Sequence, residues 1–374
     1  MMSEHFDTVV IGAGQAGLAT GYHLTRQGAD VVILESRARV GDVWRERYDS
    51  LQLYSPAIGD GLPGMAFPAP RFSYPTGTQM ADFIESYAQS MALPVRTGVF
   101  VERVRARTDG GYLVDTADGQ QLAADQVVVT TGGHHRPFVP AFAGDLDPDI
   151  VQIHSAGYRN ASQLQDGPVL VVGASHSGAD LALEVASAHQ THLSGRIHGE
   201  IPYTLGRPSG YLATLFIPFV FKHGLTLRTP IGRRLAPSVR QGGGPLIRVK
   251  RAHLKAAGVE LIEARTVGVQ DGLPVLDDGR VLDVRNVLWC TGYREDYRWV
   301  EPAPLDEDGF PRSYRGVVDD APGLYFVGLP FQYAFASMLI LGVGRDSAYV
   351  ARHISSHRRS RQGTGAGALR AGQV

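Results

Sequence analysis

The sequence predicts an α/β chain built from two nested dinucleotide-binding (Rossmann-like) domains. Three observations carry this. "DTVVIGAGQAGLATG" and "GPVLVVGASHSGADLALEVA" are each an apolar run, a glycine-punctuated turn and a helix-forming stretch. A further strand follows each turn, at "ADVVILE" and at "THLSGR". Far downstream, "VLWCTGY" returns the chain to the first unit.

In the first turn, Gly12, Gly14 and Gly17 match the spacing G-x-G-x-x-G/A. Gly12 permits the tight turn, Gly14 lets the backbone approach a pyrophosphate, and Gly17 lets helix pack on strand. The anion then rests on the positive end of the helix. Glu35 closes the second strand, where a carboxylate accepts hydrogen bonds from ribose hydroxyls and repels a 2′-phosphate. An ordinary strand–helix turn is the plain alternative, and the placement of Glu35 argues against it.

The second turn repeats the logic. Gly173 and Gly178 bound it, with Ser175 and Ser177 between them. Its following strand ends near Arg196 instead of an acid. A guanidinium there suits a 2′-phosphate through paired charge-assisted hydrogen bonds. A solvated surface arginine is the other reading. The first turn therefore fits a non-phosphorylated ribose and the second fits NADPH.

Composition sets bounds. A length of 374 residues suggests two to three domains. Hydrophobic content of 44% and charge of 20% are ordinary for a soluble enzyme. A net charge of −1 argues for neither nucleic acid nor an anionic membrane surface. Cys290 is the sole cysteine, which excludes an intrachain disulfide, a Cys-x-x-Cys redox pair and a cysteine-based zinc site, and fits a reducing cytoplasm. The histidines, "HHR" at 134–136 included, are not spaced as a metal site, so no metal is expected. The first strand begins directly after "MMSEHFD", so no signal peptide is expected. "YLATLFIPFVF", residues 211–221, falls far short of the ~20 residues of a membrane span and reads as core or as an apolar lid.

Along the chain, residues 1–160 and 286–358 read as the unit of the first nucleotide turn, which the resemblance given below makes the FAD-binding one. Residues 161–285 read as the NADPH-type unit, with a substrate-shaping insertion at about 200–250, and 359–374 as a disordered tail. "YSPAIGDGLPGMAFPAPRFSYP" is an irregular loop of the kind that carries function. "GTQMADFIESYAQSM" has helical spacing, and "VERVRARTDGGYLVDTADGQQLAADQVVVTTGG" is a strand meander. "RQGGGPL" follows no clear strand and reads as a flexible loop.

Over roughly residues 6–357 these motifs, in this order, resemble the flavin-containing monooxygenases, with the plant YUCCA enzymes and the shorter bacterial monooxygenase-like flavoproteins. "GAGQAG" is similar to the family's FAD turn, and "GASHSG" to its NADPH turn. "GDVWRERYDSLQL" resembles the segment beside the flavin, "VVVTTGG" and "LWCTGY" the domain-crossing segments, and "YFVGLPFQYAFAS" the carboxyl-terminal flavin loop. The resemblance implies that FAD also meets Gln15, Ala16, Ser36, Gly41, Val43, Trp44, Val101, Thr131, Gly132, Gly328, Leu329 and Phe331. NADPH would likewise meet His176, Thr291 and Gly292.

Three departures stand out. The family's second glycine beside Trp44 is Asp42. Of the fingerprint Phe-x-Gly-x-x-x-His-x-x-x-(Tyr/Phe), only His154 and Tyr158 are in register, with Phe142 and Gly144 displaced upstream by "DLDPD". Baeyer–Villiger relatives end it in Trp-Pro or Trp-Asp, whereas Tyr158 is followed by Arg159, which tilts the expectation toward heteroatom oxygenation. Lastly, Tyr54 and Ser55 stand where animal members place an asparagine.

The chemistry implied by the resemblance is hydride transfer from NADPH to FAD, capture of oxygen as a flavin hydroperoxide, and oxygen transfer to an amine or sulfide. Retained NADP⁺ would exclude water. No side chain has to act as nucleophile, so no catalytic residue is assigned. Tyr54, Ser55 and Gln332 are the flavin-face candidates, and His154 would position nicotinamide at the domain crossing. The expected partners are a small organic substrate and molecular oxygen. The expected setting is a cytoplasmic protein that spans no membrane, binds no nucleic acid and can pair as a homodimer. Alternatives are a Baeyer–Villiger oxygenase, an NAD(P)H-dependent reductase passing electrons to an acceptor, and a non-catalytic flavin sensor.

Overall fold

A computed structural model describes residues 4–133, 135–202, 216–240, 242–301 and 304–371, with side chains described as far as 359. The chain opens with β1 (Glu4–Ile11), α1 (Gln15–Arg26) and β2 (Val31–Leu34). All four residues of β2 and the last four of β1 are buried. Such continuous apolar strands belong to the middle of a parallel sheet covered on both faces. A capping box then starts α2 (Gly77–Ser90): Thr76 Oγ1 accepts the N–H of Gln79, and Gln79 Oε1 accepts the N–H of Thr76. β3 (Val95–Arg96), β4 (Val101–Ala106), β5 (Tyr112–Thr116) and β6 (Gln121–Val129) follow, the last three as the antiparallel meander read from the sequence.

β7 (Arg136–Pro137) leads out of this unit, and β8 (Val151–His154) and β9 (Val169–Val172) begin the next. Then come α3 (His176–Val185), β10 (Thr191–Ser194), α4 (Pro230–Arg240), α5 (Arg251–Ala256) and β11 (Glu260–Ile262). A hairpin of β12 (Thr266–Gln270) and β13 (Leu273–Leu276) precedes β14 (Asn286–Trp289). β15 (Tyr293–Arg294) pairs back on β7, and β16 (Val300–Glu301) and β17 (Leu324–Phe326) rejoin the first sheet before α6 (Ile340–Ala371).

The first sheet has eight strands in the order β16-β4-β5-β6-β1-β2-β3, with β17 on the far half of β6. The second has five parallel strands in the order β11-β10-β9-β14-β8. This moves the expected boundaries. The sequence boundaries put β8 within 1–160 and β14 within 286–358, yet both strands pair within the second sheet, whose strands run from 151 to 289. The reason is pairing: β14 lies between β8 and β9, matching Trp289 to both His154 and Val172. The polar stretch at 157–168 is a surface connection inside the second unit.

Two further expectations change. The tail expected to be disordered from 359 is described as helix to Ala371, because extending a helix already packed on α1 costs less than nucleating one. The apolar stretch 211–221 lies outside the described residues up to 215, and Phe216 and Phe219 beyond it are 68% and 67% exposed, not core.

Candidate nucleotide sites and the cleft between them

Gly12 has φ +105°, a value L side chains rarely adopt, and a Cβ there would meet Thr130 O at 3.0 Å. A Cβ on Gly17 would lie 1.8 Å from Gly12 O, so only glycine lets the helix start so close to the strand. Gly14 differs: nothing of the protein lies within 4 Å of its would-be Cβ. It opens α1, whose first turn carries no acid, and Gln15 and Ala16 follow it. The positive helix end therefore faces open space, as a pyrophosphate requires. Thr130 Oγ1 donates to Ile11 O at 2.7 Å and locks the turn from β6. Glu35 accepts the N–H of Ala13 on Oε2 at 2.8 Å and that of Arg37 on Oε1 at 3.0 Å, with Ser36 Oγ 3.4 Å away.

The second turn is a near copy. Gly173 has φ +106°, and its Cβ would lie 2.4 Å from Cys290 O; the Cβ of Gly178 would lie 1.7 Å from Gly173 O. Cys290 thus stands where Thr130 stands in the first unit. Burial pushes its thiol up to about 12, so it is an inert packing group at neutral pH. Ser175 Oγ meets the N–H of Gly244 at 3.3 Å and His176 Nε2 donates to Pro245 O at 2.8 Å, so the glycine-rich loop folds over this turn. Burial holds His176 below the usual imidazole range. Ser177 is half-buried in the first turn of α3. Arg196 is exposed and makes no side-chain hydrogen bond or ion pair among the described residues. Beside it a cleft lined by Gly195, Ile197 and Glu263 also takes in Arg251 and Lys255 of α5. Arg251 is already bound to Glu263 at 3.2 Å. Arg207, a second possible phosphate partner, lies outside the described residues.

Between the turns, the flavin-segment residues come together in part. Trp44 and Val43 occupy a single helical turn, Asp42–Arg45. Asp42, the departure from the family pattern, is an acid in that first turn and accepts from Arg45 at 3.2 Å. Gly41, at φ +94°, is required because a Cβ there would meet Ala81 O at 2.6 Å. Gly328 brings the carboxyl-terminal loop to α1, its would-be Cβ lying 3.1 Å from Ala16 Cβ. Leu329 is buried, and Phe331 is buried at φ 49°. Gln332 Oε1 accepts the N–H groups of Gly328 and Leu329 at 3.1 and 3.3 Å. Gln332 Nε2 and Trp44 Nε1 are buried donors with no partner among the described residues. Gln332 Nε2 lies against Gly316, whose would-be Cβ would come within 2.4 Å of it, so of the two donors only the Trp44 indole N–H is left as a candidate for an acceptor-rich ligand. Val101 begins β4. Thr131 and Gly132 follow β6, where Gly132 O accepts the Tyr297 hydroxyl at 3.2 Å.

The other candidates are engaged with protein. Tyr54 donates to Asp180 Oδ2 at 2.7 Å, Tyr48 to the same oxygen at 3.3 Å, and Arg248 pairs with it at 2.9 Å. Asp180 lies on α3 with only 1% of its side chain exposed. Burial, then neighbouring Tyr48 and Asp180, push the Tyr54 phenol well above its ordinary range, so it stays a donor. This buried cluster ties the flavin segment to the nucleotide helix of the second unit. Ser55 Oγ donates to Asp60, and burial raises the Asp60 carboxyl to about 7. His154 does not join Tyr54. Its Nε2 donates to Gly292 O at 3.0 Å, its Nδ1 accepts the Ala156 N–H at 3.0 Å, and its ring meets Tyr293 edge-on. Burial holds it below the usual range, so it is neutral and clamps the loop after β14. Thr291 Oγ1 donates to Phe138 O in that loop. Tyr158 donates to Glu184 at 2.8 Å and serves the second unit's core.

Sequence reasoning did not single out Asp180, Tyr48, Arg248 or Asp60. Asp180 alone left a signal, as a lone acid within the otherwise apolar run Gly178–Ala182 that is buried on all sides of the helix. Among the described residues no group of histidine, cysteine and acidic side chains could hold a metal, and no helix is long and apolar enough to cross a membrane.

Two matched turns on two nested sheets define an oxidoreductase architecture that holds two dinucleotides. The family model for pyridine nucleotide-disulphide oxidoreductases matches residues 9–197. The chain belongs to this family, among its flavin-containing monooxygenase-like members. It is 38% identical to an uncharacterised CzcO-like oxidoreductase of Geobacillus kaustophilus, over 95% of this chain and 100% of that one. It is 27% identical to the indole-3-pyruvate monooxygenase YUCCA1 of Oryza sativa, over 94% and 92% of the two chains. A flavin monooxygenase from Stenotrophomonas maltophilia, solved as a double mutant, superposes with a TM-score of 0.75 at 25% identity, over 95% and 99%.

Proposed function

We propose that the chain is an FAD-dependent, NADPH-consuming monooxygenase that oxygenates an organic substrate, with N- or S-oxygenation favoured. The observation that carries this is the pair of matched turns with opposite strand ends, Glu35 after the first and Arg196 after the second. FAD at the first turn would supply hydride acceptance and oxygen activation. The chain's own residues do the rest. Gly14 leaves the backbone open to a pyrophosphate, and Glu35 offers its remaining lone pairs to ribose hydroxyls. Trp44 would offer the ring an indole N–H that has no protein partner among the described residues, and Gln332 holds the Gly328–Leu329 loop through its amide oxygen. The Tyr54–Asp180–Arg248 cluster fixes the second unit against the first, and His154 holds the Gly292 carbonyl at the crossing. The loop over Ser175 and His176 limits water entry at the second turn. Relatives named as an indole-3-pyruvate monooxygenase and as a flavin monooxygenase support this reading.

A reductase is the second reading, since the fold is also that of the bacillithiol disulfide reductase of Bacillus cereus (TM-score 0.68, 19% identity). The sole cysteine, the half-buried Cys290, speaks against a dithiol route. Oxygen and NADPH consumed together, and coupled to product in a screen of amines, sulfides and ketones, are expected. An acceptor reduced equally well without oxygen would select the reductase, and ester or lactone formation from ketones a Baeyer–Villiger enzyme.

A further inference from the structure

The chain is nearly neutral overall, yet its charge is sharply partitioned. Between Glu200 and Glu260 there is no aspartate or glutamate, while the same stretch holds ten lysines and arginines. The described part of this stretch presents a helical segment at 216–219, a π-helical turn Val220–Gly224, and α4. Large apolar side chains project from it: Phe216, Phe219 and Ile231 are each more than 60% exposed, and Val220 and Leu235 are exposed too. On α4, Gly232 and Ala236 face inward, so Ile231 and Leu235, one turn apart, lie toward the outer side.

The cations around these side chains are without ion pairs, while Arg240 at the end of α4 lies near the carboxylates of Asp306 and Glu295. From Lys222 to Arg240 none makes an ion pair among the described residues. Arg228 and Arg234 are exposed. Arg233 reaches only the carbonyls of Leu227 and Arg228, and Arg240 stacks over Phe310. The inner side is well anchored. Phe221 packs on Phe335 at 4.4 Å, Leu227 N–H donates to Tyr333 O, and Phe335 N–H donates to Leu225 O. The exposed face is therefore a fixed part of the molecule, one layer outside the loop of Phe331.

We propose that this face docks onto an anionic lipid bilayer, with Phe216 and Phe219 entering the interface and the arginines meeting headgroup phosphates. Aromatic and aliphatic side chains set among lysines and arginines, with no acids, are the composition of interfacial segments. A bilayer offers hydrocarbon to the phenylalanines and phosphate to the guanidinium groups together, whereas an acidic protein surface offers only the second. Because the rest of the chain is net negative, an anionic surface repels it and orients the molecule with this face down. The proposal is independent of flavin chemistry.

The test is co-sedimentation of the full-length flavoprotein with phosphatidylcholine vesicles, with and without phosphatidylglycerol. Binding is expected only with the anionic lipid, weakening as salt rises. Arg228→Ser with Arg234→Ser should lower the partition coefficient roughly fivefold per arginine, and Phe216→Ser with Phe219→Ser should abolish binding. Retained flavin absorbance in both variants shows that they fold. Absence of binding to anionic vesicles, or equal binding by the variants, overturns the proposal. So does a dimer seen by light scattering that the same substitutions dissolve, which would assign the face to a second copy. Binding to polyglutamate as tight as to vesicles, and indifferent to the phenylalanines, would assign it to an acidic protein.

Discussion

The carboxylate of Glu35 accepts the backbone N–H of Ala13 at 2.8 Å, across the mouth of the first glycine turn. The side chain that would read a ribose thus also holds the turn that would cradle the pyrophosphate. Glu35→Ala should weaken FAD binding by about tenfold to a hundredfold, the value of one charged hydrogen bond of ~1.5–3 kcal/mol. Titration of the apoprotein followed by flavin fluorescence measures it, and unchanged affinity would remove Glu35 from the site.

Gly14 and Gly17 should fail in different ways. Open space surrounds the Cβ position of Gly14, so Gly14→Val should fold yet lose the yellow colour. At Gly17 the same position overlaps the Gly12 carbonyl, so Gly17→Ala should lose stability as well. Thermal unfolding together with flavin stoichiometry separates the two, and a Gly14→Val protein with full FAD would refute the assignment.

In the proposed function coenzyme choice rests on Arg196, which is exposed and makes no side-chain hydrogen bond or ion pair among the described residues. Arg196→Ala should lower kcat/KM for flavin reduction by NADPH about tenfold to a hundredfold and leave NADH nearly unchanged. Equal losses for both coenzymes would mean that Arg196 serves the fold. No loss for either would point to Arg251 or Lys255, which border the same cleft.

His154 belongs to the second sheet and touches no part of the first turn. His154→Ala should therefore keep FAD and slow reduction by NADPH about twofold to tenfold, the loss expected from one neutral hydrogen bond to the Gly292 loop. Stopped-flow reduction reads this directly. Loss of flavin instead would show the clamp acting on the first unit.

Asp60 gives a pH dependence of definite sign. Burial raises its carboxyl from 3.8 to about 7. Between those values the folded chain holds a proton that the unfolded chain has released, so stability falls as pH rises through the window. Asp60→Asn keeps an acceptor for Ser55 and removes the titration. Its stability relative to the parent should grow between pH 5 and pH 8 by on the order of 3 kcal/mol. A pH-independent difference in melting temperature would contradict the burial argument.

The strand–turn–helix cores were legible because buried parallel strands read as unbroken apolar runs and because the glycine positions follow from steric necessity. Less visible was the edge strand β8, four residues long and only partly buried, which carries little pattern. The polar stretch after it marks a surface connection as readily as a domain boundary. The equivalence of Thr130 and Cys290 is hidden because unlike side chains do the same packing. The Asp180 cluster draws Tyr48, Tyr54 and Arg248 from segments far apart in sequence, and no local spacing announces such a meeting. The balanced net charge likewise concealed the acid-free segment, because an average over the chain erases where the charges lie.

The order in which strands enter the two sheets bears on biosynthesis. All five strands of the second sheet fall within residues 151–289, while the first sheet receives β16 and β17 only afterwards. During translation the inner unit can close while the outer one still has an open edge along β6. A nascent chain halted after Trp289 would accordingly protect the second sheet from proteases and retain no flavin. Flavin retention would then wait for β16 and β17, the strands that complete the first sheet.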